Sequence, residues 1–255
     1  MFKKMMASMG IGSAKVDTVL DDSEIVLGGV ISGVINITGG NLEQQIDAVG
    51  LEFFTKISRE NSEGEEYESS FSLAKFHIAD AFLLGEDERR QFEFAFDMPA
   101  HFPISMDNQK YPVWVKTALD IDCALDPTDK DYITVLPPPA LITVVDAIQA
   151  LGFELAEVDI EHDPSRHLGF KQEFEFKPFS PAGGLTHLEE IEVVFVLKED
   201  ILHTFIESEK HTAGGFFGDL MENLNLNEST RILHLPLDFD DVERLTDDIG
   251  YMLAE

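Results

Sequence analysis

The chain has 255 residues, 44% of them hydrophobic, so it holds enough apolar mass for packed cores and exceeds the length at which a single core keeps growing. With 18 Lys and Arg against 49 Asp and Glu, its formal net charge is -31, and that field repels phosphate backbones and anionic headgroups, which excludes nucleic acid as a partner. The single cysteine, Cys123, excludes an intramolecular disulfide and a cysteine-rich metal site and fits a reducing cytoplasm.

The first ten residues have the positive start of a signal peptide without the long apolar run that should follow it, and no stretch has the length of a membrane span. Phe2, Met5, Met6 and Met9 fall on one side of a short helix, and Lys3 and Lys4 add local positive charge to an acidic molecule. This segment is a candidate partner-binding element or membrane-surface anchor; docking on the body of the protein is the other reading.

Period two then takes over, placing alternate side chains on opposite faces of strands. It predicts strands at Lys15 to Leu20, Val30 to Ile37, Ile46 to Ile57, Glu68 to His77 and Tyr132 to Leu136. Between them, Phe92, Phe94, Phe96 and Met98 form an apolar ladder interleaved with Glu93, Ala95 and Asp97. Val113, Val115, Thr117, Leu119, Ile121, Cys123 and Leu125 share the core face of a further strand, while Trp114, Lys116, Ala118, Asp120 and Asp122 point the other way. Cys123 is thereby read as an inert core thiol. The separators Asp21-Asp22-Ser23, Gly39-Gly40-Asn41, Asn61-Ser62-Glu63-Gly64 and Asp126-Pro127-Thr128-Asp129 are turn chemistry. Many strands at short intervals with no intervening helices imply an antiparallel sandwich.

Pro137, Pro138 and Pro139 cannot continue a ladder and set the expected domain boundary: an N-terminal sandwich over residues 1–136, a linker over 137–140 and a second sandwich with short helices over 141–255. Leu141, Val144, Val145, Ile148 and Leu151 recur at helical spacing, with Gly152 as the stop. Strands follow at Phe153 to Ile160, Phe170 to Phe176, Glu189 to Leu197 and Leu202 to Glu207. Phe216 and Phe217 stand among glycines, either as a mobile hydrophobic tip or packed on the second sandwich. Val242, Leu245, Ile249 and Met252 predict a terminal helix.

Catalytic chemistry finds little support. Asp120, Asp122, Asp126, Asp129 and Asp131 supply carboxylates for a hard cation, but an EF-hand fails because Leu125 stands where Gly is needed and Asp131 where the bidentate Glu is needed. His162 and His167, among Asp159, Glu161 and Asp163, match no helical zinc spacing, and Pro164 interrupts them. Gly28-Gly29 and Gly183-Gly184 lack the phosphate-loop pattern and read as turns, and no nucleophile elbow is present. No catalytic residue, metal or cofactor is expected.

Four runs carry a family resemblance. They are Phe2-Lys3-Lys4-Met5-Met6-Ala7-Ser8-Met9-Gly10-Ile11-Gly12-Ser13-Ala14-Lys15-Val16-Asp17-Thr18; Gly33-Val34-Ile35-Asn36-Ile37-Thr38-Gly39-Gly40; Asp97-Met98-Pro99-Ala100-His101-Phe102-Pro103-Ile104-Ser105; and Thr117-Ala118-Leu119-Asp120-Ile121 continuing to Asp126-Pro127-Thr128-Asp129-Lys130-Asp131-Tyr132-Ile133. Together they resemble the sporulation-control family known as SpoOM. The resemblance implies an arrestin-like pair of β-sandwiches and a bacterial regulator that is not an enzyme. The leading reading is a cytoplasmic adaptor or scaffold that binds other proteins, and its sheet edges and acidic surfaces allow a homodimer. The alternative is an intracellular sandwich that binds a small ligand or sugar, and the third reading is a hydrolase.

Overall fold

A computed structural model describes residues 14–106, 110–121, 128–164, 166, 168–181, 183–210 and 231–254. The fold is mainly β, and the described helices are few and short. The chain divides into two compact units: residues 1–55, 70–102 and 112–135 form one, and residues 56–69, 103–111 and 136–255 form the other.

In the first unit, β1 (Lys15–Leu20), β3 (Val30–Thr38) and β7 (Arg89–Asp97) make a three-stranded antiparallel sheet in the order β1-β3-β7. The second layer runs from β4 (Gln44–Glu60) through β8 (Val113–Ile121) and β9 (Thr128–Leu136) to β2 (Glu24–Val26), with β5 (Glu66–Ala79) and β6 (Phe82–Leu84) paired to β4. Alternation decides which side each residue takes. Ile31, Ile35 and Ile37 from β3 meet Val49, Leu51 and Phe53 from β4 and Val113, Val115 and Leu119 from β8 in one buried interior. Phe53 joins the layers: its ring lies 5.7 Å from Phe96 and 5.4 Å from Phe102, both within edge or tilted aromatic contact. Each such side chain removed from water contributes about 1.5–3 kcal/mol.

The Phe ladder takes its expected register. Gly33, Ile35 and Ile31 pair with Phe94, Phe92 and Phe96, so all three rings face inward, with Phe94 buried and the other two half-buried. The apolar face read along residues 113–119 is also correct. The turn reading of Asp126-Pro127-Thr128-Asp129 needs correction at its second half, because Thr128 and Asp129 already belong to β9. Asp129 is held there by tertiary structure: its carboxylate accepts a 2.6 Å hydrogen bond from the Thr18 amide on β1. Cys123 and the end of its predicted strand lie outside the described residues.

The second unit is built on an antiparallel sheet ordered β14-β13-β12-β11-β10, from β10 (Phe153–His162), β11 (Phe170–Pro178), β12 (Leu188–Lys198), β13 (Ile201–Lys210) and β14 (Arg231–Pro236). Its buried face carries Val158, Ile160, Phe174, Phe176, Ile191, Val193, Leu202, Ile206, Leu233 and Leu235. The helix α1 (Pro139–Ala150) packs on β10, and its first residue is a proline, whose missing N–H is no loss in a first turn. Gly152 follows α1 at a φ of +92°, and a Cβ there would sit 2.0 Å from the Ser180 carbonyl oxygen. The predicted helix stop is therefore also a close backbone contact. The terminal helix α2 (Val242–Ala254) buries Leu245, Ile249 and Leu253 and packs on α1; at Gly250 an added Cβ would come 3.1 Å from a Leu151 methyl carbon, so a larger residue there needs Leu151 to shift.

Two excursions are tied into this unit by polar clamps. Gln172 accepts from the Ile104 amide and donates to its carbonyl, both at 2.8 Å. Lys110 reaches Glu157 at 2.5 Å and Asp159 at 2.8 Å, and the Tyr111 hydroxyl donates to Asp159. In the segment 56–69, Ser58 pairs in parallel with Glu161 of β10.

Candidate interaction surface

Phe2, Lys3, Lys4, Met5, Met6, Met9, Phe216 and Phe217, the residues singled out for partner binding, all lie outside the described residues. His167, Asp122 and Asp126 do too. Among the described residues no three His, Cys, Asp or Glu side chains converge on a metal-sized site. The depression lined by Asp21, Ser32, Val34, Gln91 and Glu93 is an open, largely polar trough over β3 and β7.

The chemistry that is concentrated in the first unit sits on the outward face of β4, β8 and β9. Period two puts Phe54, Trp114 and Tyr132 on this face, and the register places them side by side: Phe54 opposite Trp114, and Trp114 opposite Tyr132. Phe54 and Trp114 are nearly parallel, 5.7 Å apart at 12°, and Trp114 lies 6.5 Å from Tyr132. Trp114 is only 4% exposed whereas Tyr132 is 58% exposed, so the row runs from a sealed ring to an open one. Among the described residues the Trp114 indole N–H has no hydrogen-bond partner. Leaving such a donor unmade costs about 1–3 kcal/mol.

Two residues along, the next row is Glu52, Lys116 and Lys130, again directly opposite one another. Glu52 is engaged elsewhere, by Lys75 at 3.0 Å and by the Ser72 hydroxyl at 2.6 Å. The Lys130 ammonium stands 4.4 Å from the Trp114 ring centre and 4.5 Å from that of Tyr132, and donates to the Tyr132 hydroxyl at 2.8 Å. Lys116 lies 5.2 Å from the Phe54 ring centre. Such cation–π contacts are worth about 0.5–1 kcal/mol each at exposed sites. Neither lysine has an ion-pair partner among the described residues. A third row is Gly50, Ala118 and Thr128, of which Ala118 and Thr128 are exposed.

The inward face of the same strands holds a polar cluster. The Thr18 and Thr117 hydroxyls are 2.5 Å apart, buried across the two layers. Asp129 and Asp131 share this face with Thr117 and Val115 through the β8–β9 register. Burial, the adjacent Asp129 charge and hydrogen bond, and Asp17 push the Asp131 carboxyl up to about 6, and its Oδ2 is sealed from solvent with no hydrogen-bond partner among the described residues.

No helix of the described residues is long and apolar enough to cross a membrane. A family model described as SpoOM protein matches residues 2–212. The sporulation-control protein spo0M of Bacillus subtilis (strain 168) is 36% identical over 259 residues, spanning 100% of this chain and 98% of that protein. The crystal structure of Spo0M, sporulation control protein, from Bacillus subtilis superposes with a TM-score of 0.81 at 30% identity, over 95% of this chain and 98% of that one.

Proposed function

This chain belongs to the SpoOM protein family and shares its arrestin-like fold, and from that premise we propose that it is a non-enzymatic, cytoplasmic regulatory adaptor that acts by binding other proteins. The observation that carries this reading is the outward face of β4, β8 and β9, where an aromatic row ending in the exposed Tyr132 adjoins two lysines that have no ion-pair partner among the described residues. Interfaces concentrate binding energy in aromatic anchors with polar surroundings, and a rigid sheet presents such anchors at little entropic cost. The relative's name, a sporulation-control protein, fits a regulator.

The sugar-binding alternative needs an aromatic ring with a free face. Here Lys130 already stands over Trp114, which favours a partner that meets the ammonium group rather than one that stacks on the indole. Affinity capture from the native host with wild type and with Tyr132→Ala tests the adaptor reading. A defined protein recovered by wild type and lost with Tyr132→Ala, at unchanged melting temperature, supports it. Identical recovery by both proteins removes this face from the account.

A further inference from the structure

The pairing of Lys116 with Lys130 is unusual in its cost. Directly opposed side chains on antiparallel strands have Cβ atoms about 4.5–5.5 Å apart, and like charges at that position destabilise the sheet. The chain has 49 acidic residues with which to neutralise them. The acid in their own row, Glu52, is instead committed to Lys75 and Ser72. On the far side stand Gly50, Ala118 and Thr128, of which Ala118 and Thr128 are exposed. On the near side stand the aromatic rings.

We infer that this face takes an extended acidic segment of a partner protein, with carboxylates meeting Lys116 and Lys130 and an apolar side chain of the segment lying against Tyr132. The inference rests on the adaptor reading and specifies its partner. Charge complementarity selects the occupant: an acidic segment relieves the lysine–lysine repulsion, whereas a basic one adds to it. The net charge of -31 does not forbid this, because screening at physiological salt confines each charge to about 8 Å, and the acid in the same row, Glu52, is already engaged by Lys75 and Ser72. The acidic remainder of the molecule then serves specificity, since an acidic segment is repelled wherever it meets the surface away from this pair.

The chain reports on its own site, because Trp114 is its one tryptophan. The full chain is titrated with a synthetic peptide of glutamates around a central phenylalanine, and with a counterpart in which glutamines replace the glutamates, while Trp114 emission is followed. The acidic peptide is expected to shift the emission saturably and to bind at least tenfold more tightly than the glutamine peptide. The double variant Lys116→Gln/Lys130→Gln is expected to weaken it at least tenfold with no fall in melting temperature, and Lys116→Arg/Lys130→Arg to retain it. No saturable shift, equal binding of both peptides, or full binding by the Gln variant would overturn the inference. A protein captured through Tyr132 by a basic or neutral segment overturns the acidic specification and leaves the adaptor reading standing; no protein captured through Tyr132 removes the reading itself.

Discussion

Lys116 and Lys130 face each other across β8 and β9 on the solvent side of the sheet, each leaning over an aromatic ring and neither matched to a carboxylate among the described residues. Replacing Lys116 with an acid relieves its repulsion with Lys130 but sets a second carboxylate directly opposite Glu52 on β4. Lys116→Glu is therefore expected to keep stability within about 1 kcal/mol of wild type in urea denaturation while abolishing partner binding. Loss of binding at nearly unchanged stability marks a residue kept for function. A loss of both would make Lys116 a structural residue.

The hydroxyl pair of Thr18 and Thr117 ties the two layers of the first unit together. Thr18→Val or Thr117→Val alone strands the other buried hydroxyl and should cost about 1–3 kcal/mol. The double variant replaces both partners with apolar groups of the same shape and should cost less than the two single changes added together. A double-mutant cycle by chemical denaturation measures the coupling, and strict additivity would show that the hydroxyls do not interact.

Asp131 sets a pH dependence whose sign follows from its surroundings. Its folded carboxyl titrates near 6, above the ordinary 3.8, so between these values the folded state holds more protons than the unfolded one. Stability from this group is then fully present at low pH and falls as pH rises through about 4 to 6. Allowing for solvent screening, Asp131→Asn should stabilise the protein at pH 7 by about 1 kcal/mol, and the difference should vanish near pH 4. Denaturation of both proteins across this range tests it; a difference independent of pH would contradict it.

Gly152 combines a left-handed backbone with a close carbonyl contact. Gly152→Ala therefore has no small adjustment available and should cost about 3 kcal/mol or more, read as a fall in melting temperature. A near-neutral Gly152→Ala would mean that the turn after α1 is free to rearrange.

Alternation made the long strands legible: the core side of β8 and the Phe ladder of β7 follow from one residue in two being apolar. β2 and β6, at three residues each, are too short to show a period, and in β14 Ile232 beside Leu233 blurs the alternation with Leu235. Thr128 and Asp129 carry turn chemistry that the tertiary bond from Thr18 overrides. The outward direction of Trp114 and Lys116 was visible in the sequence. Their alignment with Phe54, Tyr132 and Lys130 was not, because it depends on β4, β8 and β9 being neighbours, a pairing between distant stretches of chain. The same holds for the clamps from Gln172 to Ile104 and from Lys110 to β10, which bind distant segments into the second unit.

Site-specific cross-linking tests the central claim most directly. A photoreactive phenylalanine analogue is placed at Tyr132 and, as a control, at Tyr251, which is 70% exposed on α2, and both proteins are irradiated in native-host cells. Adaptor action through the outward face of β4, β8 and β9 predicts a discrete protein adduct from position 132, lost when Lys116 and Lys130 are both changed to Glu, and not reproduced from position 251. The same adducts from both positions, or none from position 132, would contradict it.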